Sequence, residues 1–216
     1  MLEHLHIVGI TVLLALIPFV FILMTSFTRI SIVLTFLKQA LSTSVPSSQI
    51  IIGLSLILTA YIMHPVIAEI QKDAVTPYFE GEFKSEQELG EAKAFLTHAW
   101  PPLRKFMLFH TREKDLELFL EMGKVEIPEN EQLDPHTLSW YCIIPAFVLS
   151  ELRTAFMLGF LLFLPFLVID MVVTSLLMSM GMILLPPVMI SFPFKILLFV
   201  VIDGWRLIIQ QMVYGF

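Results

Sequence analysis

Six charged side chains stand inside otherwise uncharged, apolar sequence: Glu151, Arg153, Asp170, Lys195, Asp203 and Arg206. Three are acids and three are bases. A charge at the centre of a bilayer costs about 3 kcal/mol on insertion scales. An unpaired charge in low dielectric is costlier than a paired one. The balance predicts ion pairs between helices or between subunits. Contact with water at an interface is the bland alternative, and a proton relay is a third. Methionine gives the next signal. Met178, Met180, Met182 and Met189, four of 12, gather around Gly181 and Pro186-Pro187. Methionine usually fills a core, but its flexible thioether can also close around irregular shapes and reopen. The glycine and the paired prolines predict a tight, non-helical loop between two hydrophobic segments, the kind of loop that could seal a channel.

Catalytic and metal chemistry leave no such trace. The chain has no G-x-x-x-x-G-K-[ST], G-x-S-x-G, H-E-x-x-H or C-x-x-C. Its six histidines (4, 6, 64, 98, 110 and 136) show no ligand-like clustering beyond His4 and His6. Those two read as an interfacial start, and His64, before Pro65, as a helix end. Cys142 is the single cysteine, which excludes an internal disulfide and a cysteine-cluster metal site. The net charge of −6 argues against a nucleic-acid partner, which needs a basic surface. No enzyme activity and no cofactor are expected.

The elements that must carry these residues follow from composition. Of 216 residues, 57% are hydrophobic and 15% charged, against about 25% charged in a soluble domain. The mean hydropathy is +0.84. Between Glu69 and Asp134 lie 23 of the 32 charges, with a net charge of −7. The expected class is therefore all-α and membrane-associated. Proline-broken helical hairpins form two apolar halves, 1–68 and 140–216, and a polar helical insertion, 69–139, lies between them. Ile7 to Thr28 is long enough to span a bilayer, with a kink at Pro18. A second span starts near Ser47 or Ser48 as N-cap and ends near His64-Pro65. The link carrying Arg29 and Lys38 is assigned to the cytoplasm, and the acidic block and the N-terminus to the outside. The start carries Glu3 and no A-x-A site, so no cleaved secretory signal is expected. In the polar block, Ser85 to Glu88 fits a capping box for a helix to about Thr97. Pro101-Pro102 is expected to break the chain before a second helix, Leu103 to Met122, which Gly123 stops. Asp134-Pro135 reads as another helix start. In the C-terminal half, Pro145, Pro165, Pro186, Pro187 and Pro193 mark expected helix breaks, a pattern of re-entrant hairpins packed on protein.

Several of these segments resemble the FliP family of flagellar and type III secretion export-gate proteins. They are Met24-Thr-Ser-Phe-Thr-Arg29-Ile-Ser-Ile-Val, Leu103-Arg-Lys-Phe-Met107 with Thr111-Arg-Glu-Lys-Asp-Leu116, and Ile144-Pro-Ala-Phe-Val-Leu-Ser-Glu151-Leu-Arg-Thr-Ala-Phe156. Pro165-Phe-Leu-Val-Ile-Asp170-Met, Met178 to Ser191, Pro193-Phe-Lys195 and Asp203-Gly-Trp205 complete the set. The reading Leu185-Pro-Pro-Val-Met-Ile-Ser191 is similar to the flagellar branch. The resemblance implies a non-enzymatic subunit of a pentamer-type helical ring, assembled with sister gate subunits of the FliQ and FliR families. It implies a place in the bacterial inner membrane, at the flagellar basal body, with the polar part periplasmic. Unfolded flagellar proteins would pass through the ring, and Met178, Met180, Met182, Ile183, Leu184 and Met189 would narrow the closed pore. Two stretches depart from the pattern. Met182 is followed by Ile183 and Leu184 instead of further methionines, and Leu41-Ser42-Thr43-Ser44 lacks the glycine and glutamine common there.

Two rivals come from other classes. An ion-coupled small-molecule transporter would use Asp170 or Glu151 for protons and broken helices at a binding site, and two-fold repeats related by pseudo-symmetry would favour it; none is visible. An intramembrane enzyme would need a catalytic pair on facing helices, and none is recognisable.

Overall fold

The computed structural model describes residues 19, 22–43, 46–81, 88–124, 138–182 and 184–216. Among them there is no strand. In chain order the helices are α1 (Phe27–Ala40), α2 (Ser48–Ile70), a π-helical turn (Gln71–Val75), α3 (Thr76–Glu80), α4 (Glu88–His110), α5 (Glu113–Met122), α6 (Trp140–Ser179), α7 (Pro187–Val201) and α8 (Gly204–Tyr214). Two stretches, Ser48–Glu80 and Trp140–Ser179, are long and apolar enough to cross a membrane. Helices α7 and α8, bent by 62° at their junction, make a third if counted as one span. The fold is all-α and membrane-associated.

Contacts divide the chain into two compact units, Met1–Ser26 with Ala60–Glu151 and Phe27–Thr59 with Leu152–Phe216. In the first, Leu103, Phe106, Met107, Leu120, Ile143 and Phe147 are buried. Phe106 meets Phe147 edge-on at 5.9 Å, and Tyr78 meets Phe95 at 5.9 Å. The start of α5 is tied to α6 by Ser150. Its hydroxyl accepts the Arg112 N–H at 3.1 Å and donates to Asp115 Oδ2 at 2.7 Å. That satisfies an N-terminal amide of α5 and a buried carboxylate together.

In the second unit α1 buries Ile30, Val33, Leu34 and Leu37, a helical stripe. Phe36 meets Phe156 edge-on at 5.3 Å. A Cβ on Gly159 would lie 2.5 Å from the Phe36 ring, so only glycine admits α1 this close to α6. At the α7–α8 bend Asp203 takes a left-handed conformation, φ +53°. Phe199 packs over Gly204, whose Cβ would lie 2.3 Å from the ring, and meets Trp205 at 5.4 Å.

Several boundaries differ from the sequence expectation. Arg29 and Lys38 lie in α1, not in a loop, and Arg29 is buried. The second span begins as expected, with the Ile50 N–H donating to Ser47 Oγ at 3.4 Å, but runs past Pro65. Pro101 and Pro102 lie inside α4, and the break falls at Thr111-Arg112. Pro145 and Pro165 lie inside the continuous α6. Pro193 lies inside α7, whereas Pro186 and Pro187 do open that helix. A helix proline deprives the carbonyl four residues earlier of its donor. Here those carbonyls belong to Tyr61, Thr97, His98, Tyr141, Leu161 and Met189, all exposed residues. Each of these helices continues through its proline. Most of the first expected span, with Pro18, and the expected caps at Ser85 and Asp134 lie outside the described residues.

Candidate functional site

Helices α6 and α7 form a hairpin, and its turn is set by local chemistry. The Met182 N–H reaches Leu177 O at 3.0 Å and the Gly181 N–H reaches Met178 O at 3.1 Å. With Gly181 at φ +74°, this is the Schellman stop that glycine favours. Pro186 then caps α7 in an extended conformation and Pro187 occupies its first turn. The tip is apolar and open: Met178 is 69% exposed, Met180 66%, Met182 42%, Leu184 98% and Met189 72%. Ile183 lies outside the described residues. Nothing polar on the tip explains that exposure, and thioether and isobutyl groups in water cost burial energy.

The base of the hairpin is the opposite. Lys195, on α7, is fully buried. Its ammonium donates to Asp170 Oδ2 on α6 at 2.6 Å, to Ala40 O at 3.0 Å and to Ser42 Oγ at 2.9 Å. Ser191, one turn before Lys195, donates to Asp170 Oδ1 at 2.6 Å. All three ammonium hydrogens and both carboxylate oxygens are engaged, around a lysine that is buried and a carboxylate that is 32% exposed. A second cation grips the other end of α1. Arg29 Nη1 donates to Gly215 O at 2.7 Å, at the C-terminus of α8, and the guanidinium lies 3.7 Å from the centre of the Phe216 ring.

Of the six charges singled out in the sequence, the structure joins Asp170 with Lys195. Glu151 is buried. Arg153, two residues on, is exposed and lies on a different face of α6. Asp203 and Arg206 are exposed at the α7–α8 bend and, among the described residues, form no ion pair with each other. Sequence reasoning missed Ser42, the Ala40 carbonyl and the buried role of Arg29. Ser191 had a legible signal, since it stands four residues before Lys195 on one helix face. Ser42 had none, because 153 residues separate it from the lysine. Among the described residues no cluster of His, Cys, Asp or Glu is arranged as a metal site.

Fold and site together define a helical, membrane-associated protein in which a polar cluster around Lys195 lies at the base of an apolar hairpin with an exposed tip. The FliP family model matches residues 10–212. The flagellar biosynthetic protein FliP of Bacillus subtilis is 50% identical over 200 residues, covering 92% of this chain and 86% of that one. The protein of the same name from Aquifex aeolicus is 44% identical, over 93% of this chain and 81% of its own. That from Pectobacterium carotovorum is 42% identical, over 94% and 75%. The chain belongs to the FliP family.

Proposed function

We propose that the chain is a subunit of the export gate in the flagellar protein export apparatus. As a family member it is a component of that apparatus, in flagellum biogenesis. In this reading several copies, with sister gate subunits of the FliQ and FliR families, enclose a passage for unfolded flagellar proteins and nucleate gate assembly. The assembly sits in the bacterial inner membrane at the flagellar basal body, and segment 69–139 faces the periplasm.

The observation that carries the reading is the contrast within the α6–α7 hairpin: an apolar tip left exposed on a base tied by the buried Lys195 ammonium to Asp170. Such a tip closes a pore by excluding water and ions, and it yields when a chain pushes through. The exposed apolar faces of α2 and α6 supply surface for neighbouring copies. The rival transporter needs a carboxylate free to carry protons. Asp170, one of its two candidates with Glu151, is engaged by Lys195 and Ser191.

The test replaces Met182, Ile183 and Leu184 together by glycine in cells. The gate reading expects faster leakage of small ions with the assembly still present. Leakage equal to that of the parent strain counts against placing this loop at the constriction.

A further inference from the structure

We propose that Ser42 is a positioning residue for the methionine hairpin, mooring it to the end of α1 through Lys195. The ammonium has three hydrogens and three acceptors. The bond to Asp170 closes the hairpin on itself, α7 to α6. The bonds to Ala40 O and Ser42 Oγ tie that closed base to an element outside the hairpin. Lys195 itself is fully buried, while Ser42 is exposed, so the serine hydroxyl is the partner of the ammonium that faces the surface.

The Ala40 carbonyl is one of the orphan acceptors at the C-terminus of α1, available whatever residue occupies position 40. The Ser42 hydroxyl is different. Ser42 has φ +53°, a left-handed conformation that glycine enters freely and serine enters at a cost. Backbone geometry alone favours glycine at this place. What serine adds is an acceptor oxygen 2.9 Å from a buried cation. The inference goes beyond the gate reading and does not depend on what passes beside the hairpin.

The test uses the full chain purified in detergent and amide hydrogen exchange read by mass spectrometry. Ser42→Gly relieves the backbone and removes the acceptor. Ser42→Asn keeps a side chain at ease in the left-handed region and restores an acceptor oxygen. Exchange over residues 176–190 is expected to rise about tenfold in Ser42→Gly, the loss of one bond to a charged group. The thermal midpoint and the exchange of α5 should stay at parent values, and Ser42→Asn should restore the parent rate in the hairpin. Parent-rate exchange in Ser42→Gly overturns the proposal. So does a rise spread evenly along the chain, or a Ser42→Asn variant that behaves like Ser42→Gly. Ion leakage in the same variants reports on the gate reading separately, since leakage can be altered or not at a given hairpin exchange rate.

Discussion

The base and the tip of the α6–α7 hairpin are less than 20 residues apart along either strand and obey opposite rules. At the base, the buried Lys195 ammonium donates to Asp170, Ser42 and the Ala40 carbonyl, and Ser191 adds a bond to Asp170. At the tip, Met178, Met180, Leu184 and Met189 stand exposed with no polar partner. A buried polar network fixes geometry because each missing bond is costly. An exposed apolar cluster contributes little to this chain's own stability and much to whatever it meets. The difference separates a part that holds from a part that contacts.

Breaking the base should have the largest effect on folding. Lys195→Ala leaves Asp170 without its cation, and a loss of about 3 kcal/mol is expected in thermal or denaturant unfolding in detergent. A loss near zero would mean that the cluster does not hold the hairpin. Next comes the second cation. Arg29→Ala removes a charged hydrogen bond to Gly215 O and the contact with Phe216, with an expected cost of about 2 kcal/mol. Amide exchange should rise first over α8, and an effect confined to α1 would argue against a grip on the C-terminal helix. Gly159→Ala should follow, at about 1.5 kcal/mol, because the new methyl meets the Phe36 ring. Pairing it with Phe36→Leu should recover part of that loss in the same unfolding measurement. The smallest change in stability belongs to the tip. Leu184→Ala should shift unfolding by less than about 0.5 kcal/mol, as exposed sites do, while raising ion leakage in cells. A large loss of stability there would erase the distinction between the two regions.

Much of the hairpin is legible in the sequence because its signals are local. Gly181, Pro186 and Pro187 act within one turn of their own positions. The charge balance announces that ion pairs form, because an apolar setting leaves each charge few other ways to be satisfied, but not that Asp170 is the acid that meets Lys195. Where helices end at other prolines is not local. Pro145 and Pro165 sit in a continuous helix, and whether a proline ends a helix or is carried within it depends on the packing around it. Arg29 reads as a loop charge for the same reason. Its value depends on Gly215 and Phe216, more than 180 residues away in the chain. Ser42 looks like an ordinary turn serine until the fold brings Lys195 to it.

The tips of several copies must converge on one axis if they close a passage. A cysteine at position 184, the most exposed site on the tip at 98%, tests this in native membranes. Under mild oxidation Leu184→Cys should form chain-to-chain disulfides in high yield, and the parent chain, with only the buried Cys142, should form none. A Leu184→Cys chain that stays monomeric under oxidation, while reacting readily with a lipid-soluble thiol reagent, would place the tip in acyl chains and contradict a shared constriction.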